Sequence, residues 1–162
     1  MKKLVALFVI VFSCTLLSVA QPVLARMYYA NTQRSDGSYL SVNIPSNVSI
    51  REEHYGSTTE LLITGPRQGD VLQIVVCPLM TVGQLEKFLR ETAAQNRVQG
   101  IKIAYPSEYG VGLTGHTSDG MYVLYSGVVM PRYTELHMFR STHIDISSTL
   151  LDISATIDWR WR

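Results

Sequence analysis

The sequence predicts an α+β fold: a single domain in which an antiparallel β-sheet carries one long capped helix and a short C-terminal helix packed on it. Three observations lead there. Short runs alternate apolar and polar side chains, the period of a strand with one buried face. Gly, Pro, Asn and Asp punctuate those runs at close intervals, which suits hairpins rather than long parallel crossovers. Only one central stretch changes to helical spacing and opens with a capping pair.

The first element is an address. Met1-Lys2-Lys3 gives a basic start, and no charge follows from Leu4 to Ala25. Small residues precede both Gln21 and Arg26. A basic end, an apolar middle and a small-residue exit make a secretory signal peptide. Residues 1–25 are therefore expected to be removed, with cleavage after Ala20 as the near alternative. An uncleaved anchor is a second reading, since the uncharged run is long enough to span a bilayer. Pro22 argues against it. Lipidation at Cys14 is a third, from a loose lipobox around Val11-Phe12-Ser13-Cys14 in which Phe12 is too bulky.

Residues 26–162 form the expected domain. Arg26–Ser38 is polar, with a turn signal at Asp36-Gly37. Tyr39–Ile44 alternates, placing Leu40, Val42 and Ile44 on one face. Val48–Glu53 repeats the pattern after Pro45-Ser46-Asn47. Thr59–Thr64 and Val71–Cys77 flank a Gly/Pro/Asp cluster and read as a hairpin. Val71–Cys77 is apolar on both faces except for Gln73, which predicts the central, doubly covered strand.

Thr81 and Gln84 have capping-box spacing. Val82, Leu85, Phe88, Leu89 and Ala93 share one stripe, so a helix is expected to Asn96–Arg97. Four strands follow: Ile101–Tyr105, Gly110–Thr117, Met121–Val129 and Thr134–Ile146, the last bending near Arg140-Ser141. Ser118-Asp119-Gly120 is a hairpin turn. Ser148–Ile157 reads as a short helix capped by its serines. Asp158–Arg162 is left as a tail.

This order of elements resembles the Mog1/PsbP-like fold: short N-terminal strands, one capped helix, an antiparallel meander and a closing helix with an aromatic segment. Exported bacterial members are similar in size. The resemblance spans most of Tyr39–Trp159. It implies accessory and binding roles rather than catalysis, and supplies no catalytic residues to carry over.

Composition narrows the function classes. The 162 residues are 46% hydrophobic and 17% charged, which excludes a disordered chain. Net charge is +1. Losing Lys2 and Lys3 would leave 12 basic against 13 acidic residues, so no basic footprint for nucleic acid exists. Cleavage also leaves Cys77 as a lone cysteine, without an intramolecular disulfide partner.

Candidate chemistry is thin. Cys77 follows Val75-Val76 in the most apolar run and reads as a core thiol rather than a nucleophile. His54, His116, His137 and His143 do not converge in sequence. His137, His143 and Asp145 share strand parity, but six residues of strand span about 20 Å, too far for one ion. Glu52 and Glu53 point to opposite faces. No Gly-x-Ser-x-Gly, Walker or dinucleotide motif occurs. The chain reads as a non-enzyme with no metal and no cofactor.

The candidate binding surface is aromatic and basic: Trp159, Arg160, Trp161 and Arg162 in the tail, with Tyr133. Tyr, Trp and Arg are enriched at binding hot spots. The expectation is a periplasmic or secreted, non-catalytic accessory protein of the bacterial cell envelope that binds an unknown envelope protein. It would have no nucleic-acid partner and no membrane span after cleavage. A small-ligand binder, with a Tyr- and Met-lined pocket between sheet and helix, is the alternative. An envelope hydrolase or thiol enzyme using Cys77 with a histidine comes third.

Overall fold

A computed structural model describes residues 25–29 and 39–160. The rest of the expected leader, and Trp161 and Arg162, lie outside the described residues. The described chain runs β1 (Ala25–Tyr29), β2 (Tyr39–Pro45), β3 (Ser49–Tyr55), β4 (Thr58–Thr64), β5 (Val71–Pro78), α1 (Val82–Gln95), β6 (Val98–Ser107), β7 (Gly110–Thr117), β8 (Tyr122–Val129), β9 (Tyr133–Ser141), α2 (Ser148–Ala155) and β10 (Asp158–Arg160).

Turn chemistry and alternation set the pairing. The β3–β4–β5 run forms one meander and β6–β7–β8–β9 another, with α1 between them in sequence. Antiparallel pairing of β5 with β9, from Val71 opposite Arg140 to Pro78 opposite Tyr133, joins the two. The result is a seven-stranded sheet of order β3-β4-β5-β9-β8-β7-β6. β9 therefore takes the middle, and β5 lies beside it. The apolar run 71–77 signals cover on both faces, which β5 has, but cover does not fix position in the sheet.

Two segments left without structure by the sequence reading are strands. β1 and β10 flank β2 in a separate three-stranded sheet. β10 is thus paired, with Trp159 opposite Leu40 and Arg160 opposite Tyr39. Neither segment is long enough for its alternation to be visible.

α1 forms where the capping pair and stripe predict it. Thr81 Oγ1 accepts from the Gln84 N–H at 3.2 Å, and Gln84 Oε1 accepts from the Thr81 N–H at 2.8 Å. Leu85, Leu89 and Ala93 are fully buried against the sheet. Gly127 on β8 lets the helix approach closely: a Cβ there would lie 2.6 Å from Leu85 Cδ1. α2 begins after Ser147, whose side chain makes no capping hydrogen bond.

Two cores lie on opposite faces of the large sheet and are offset sideways. On one face α1 packs over β6, β7 and β8. Leu85 and Leu89 meet Val111, Leu113, Val123, Tyr125, Leu136 and Met138 there. On the other face the small sheet and α2 cover β4, β5 and part of β9, with Leu40, Val42, Ile44, Leu150 and Ile153 against Leu61, Ile63, Leu72, Ile74 and Phe139. Each fully buried aliphatic side chain contributes about 1.5–3 kcal/mol, enough to hold a three-stranded layer in place.

A polar strut fastens the β4–β5 turn to the segment after β9. Asp70 is fully buried. Its carboxylate accepts from Arg67 Nε at 2.7 Å and from Ser141 Oγ at 2.6 Å. Arg67 also donates to the Asp145 carbonyl at 2.8 Å. Ser141 accepts the His143 N–H at 3.0 Å, which ends β9 at a side chain rather than a strand partner. The expected strand Thr134–Ile146 stops there for that reason.

Among the described residues no helix is long and apolar enough to cross a membrane.

Candidate functional site

The offset of the two cover layers leaves β6, β7 and β8 open on the face turned away from α1. The registers define what that face presents, because directly opposed residues on antiparallel strands share a face. One cross-strand row is Ala104, Gly112, Ser126 and His137. Its neighbour is Lys102, Thr114, Leu124 and Phe139. On the other side lies the row Ser107, Gly110, Val128 and Glu135. The middle row has small side chains until it reaches His137. It forms a furrow floor across the strands, where strand glycine permits close approach of another group.

Grooves open at both ends of this face. The first has a volume of about 500 Å³, and its lining includes Lys102, Thr114, His116, Leu124, Ile144 and Ile146. The strut places two of these, since Asp70, Arg67 and Ser141 anchor the segment that carries Ile144 and Ile146. Ile144 is 78% exposed, the most of any large apolar residue among those described. Among the described residues no acidic side chain lines this groove.

The second groove, about 220 Å³, is lined by Pro106, Ser107, Ser126, Val128, Glu135 and His137, among others. Here three polar groups stand in line. His137 Nδ1 lies 2.5 Å from Ser154 Oγ, and His137 Nε2 lies 2.6 Å from Glu135 Oε1. β9 alternation places Glu135 and His137 on one face, and α2 brings Ser154 over them.

A serine, a histidine and a carboxylate in line are the parts of nucleophilic acyl transfer. That chemistry also needs N–H donors aimed at the developing oxyanion. Ser154 stands in the last turn of α2, at the negative end of the helix dipole, which disfavours an oxyanion there. The three residues clasp α2 to β9 and hold the histidine ring beside the furrow.

A second histidine–carboxylate pair has the same spacing. His54 Nε2 approaches Glu52 Oε1 at 2.7 Å on β3, and Tyr28 of β1 donates to Glu52 Oε2 at 2.5 Å. Burial, reinforced by the Glu52 hydrogen bond and charge, pushes the Tyr28 hydroxyl up to about 12. This group ties the small sheet to the large one. Glu53 points the other way, to Arg51 and Tyr55, as strand alternation requires.

The residues singled out from the sequence fall in different places. Tyr133 is only 8% exposed and belongs to the core between the two sheets. Its ring is not on the surface, because its β9 position faces the small sheet, and burial raises its hydroxyl pKa. Trp159 and Arg160 lie in β10. Trp161 and Arg162 are outside the described residues. Cys77 is 5% exposed, and its thiol donates to the Thr134 carbonyl at 3.6 Å. Tyr125 and Met138 fill the layer between α1 and the sheet, 1% and 4% exposed. His143 sits beyond the end of β9, so its parity with His137 has no structural meaning. Among the described residues no group of three or more His, Cys, Asp and Glu side chains is placed to hold a metal ion.

Sequence reasoning missed the furrow and the clasp. The signal for the clasp was present as Glu-x-His on a strand, which occurs at Glu52–His54 and again at Glu135–His137. Comparison with known protein families and with curated proteins finds no match for this chain.

Proposed function

We propose that this is an exported accessory protein of a bacterial cell envelope, periplasmic or secreted, that acts by binding through the open half of its large sheet. One observation carries the reading: the cover layers are offset, so three strands keep a furrowed face with a small-residue floor and a groove at each end. A face of this kind, with apolar walls and a few placed polar groups, is what a binding site requires. The basic-then-apolar leader supports export. The resemblance to Mog1/PsbP-like proteins belongs to the same proposal.

The test has two arms. Mass spectrometry of the protein from its native source should find a new N-terminus at Arg26 or Gln21. Full-length chain beginning at Met1 in the cytosol overturns export. Crosslinking and affinity capture should then compare the wild type with Ser126→Trp, which fills the furrow floor on the face turned away from α1. Loss of a specific partner in the variant, at unchanged stability, is the expected result. Identical capture by both proteins removes this face from the account.

A further inference from the structure

Resting on the reading of the open face as a binding surface, we infer that the larger groove takes a single-chain anionic amphiphile: an aliphatic chain ending in one carboxylate or similar anionic group.

Charge is the first argument. Lys102, Thr114 and His116 line the groove, and among the described residues no carboxylate does. Lys102 makes no ion pair among the described residues. The nearby Asp145 is directed to Arg67, at 3.3 Å. The groove therefore offers a cation and hydrogen-bond donors without an internal counter-charge.

Shape and polarity supply the second argument. Opposite the cation, Leu124, Ile144 and Ile146 form an apolar wall. Ile144 is 78% exposed although the fold holds its segment in place through the Arg67–Asp145 contacts. Its side chain continues the wall formed by Leu124 and Ile146. The volume of about 500 Å³ falls within the range of about 300–1,000 Å³ usual for small-molecule sites.

Calorimetric titration of the intact protein with sodium dodecanoate, kept below micelle formation, tests this. Saturable binding is expected. Affinity should rise about fourfold for each methylene between octanoate and dodecanoate, the increment of burying one methylene. Dodecanol should bind more weakly by about two- to fivefold, the scale of an exposed charge contact, and Lys102→Ala should remove that preference. Ile144→Asp should abolish binding; because Ile144 points outward, the variant should unfold at the wild-type temperature. Dodecanol binding as tightly as dodecanoate, an affinity indifferent to chain length, or association only with vesicles of phosphatidylglycerol and phosphatidylcholine overturns the inference. So does no binding at all. That last result leaves the broader reading intact, since partner capture by the wild type and Ser126→Trp judges the face independently.

Discussion

Gly127 and Leu85 should behave as one packing unit. An ideal Cβ on Gly127 would stand 2.6 Å from Leu85 Cδ1, 3.1 Å from Cδ2 and 3.3 Å from Cγ. Leu85→Ala deletes all three of those atoms. Alone, Gly127→Ala forces α1 away from β8 and should cost about 1–3 kcal/mol. Alone, Leu85→Ala should cost about 2–5 kcal/mol, from three lost carbons at about 0.8 kcal/mol each and the cavity left behind. In the double variant the clash is gone. The new methyl occupies part of the cavity, and alanine gains about 0.4–1 kcal/mol over glycine through the unfolded chain. Gly127→Ala should therefore become stabilising in the Leu85→Ala background, with a coupling of about 2 kcal/mol. Urea unfolding of the four proteins by circular dichroism measures this. Additive losses within about 0.5 kcal/mol would show that α1 does not bear on β8 at this point.

Other outcomes follow from the same structure. Asp70→Ala should cost about 1–3 kcal/mol, because it takes the buried acceptor from Ser141 and leaves Arg67 held by Asp145 alone; hydrogen exchange should quicken in residues 142–147, and unchanged exchange refutes the strut. Thr81→Ala should cost about 1 kcal/mol through loss of the α1 cap, measurable by thermal unfolding. Tyr28 should ionise late in a tyrosinate absorbance titration, near 12, with that component missing in Tyr28→Phe. Its raised pKa stabilises the fold fully below about 10, the unfolded value, and the contribution is lost as pH rises toward 12. A Tyr28 component at the ordinary value refutes the contact with Glu52. His137→Gln should loosen α2 against β9, so faster exchange in residues 148–155 is the expected readout.

Much of the fold was legible because local signals agreed. Leu40, Val42 and Ile44 alternate and are all fully buried. Thr81 and Gln84 cap α1 as their spacing predicts. Asp119-Gly120 turns the β7–β8 hairpin, with Gly120 at φ 85°. The unread parts depend on distant pairing. β10 is only three residues, and nothing in Asp-Trp-Arg shows that β2 is its partner. Tyr133 looked like surface because it follows a turn; its burial comes from the small sheet, whose outer strands were unread. The furrow needed three registers to bring Ala104, Gly112, Ser126 and His137 into one row, and sequence distance hides such a row.

The join between β5 and β9 carries a consequence for assembly. Its partners stand more than fifty residues apart, and β10 must return to β2 from the far end of the chain. A growing polypeptide can close its first meander early, but β5 keeps a naked apolar flank until β9 is made. The N-terminal strands wait longer still for their last neighbour. Slow, late closure follows from so many non-local contacts. Until then the nascent chain displays sticky edges, and a holding chaperone would find its grip there.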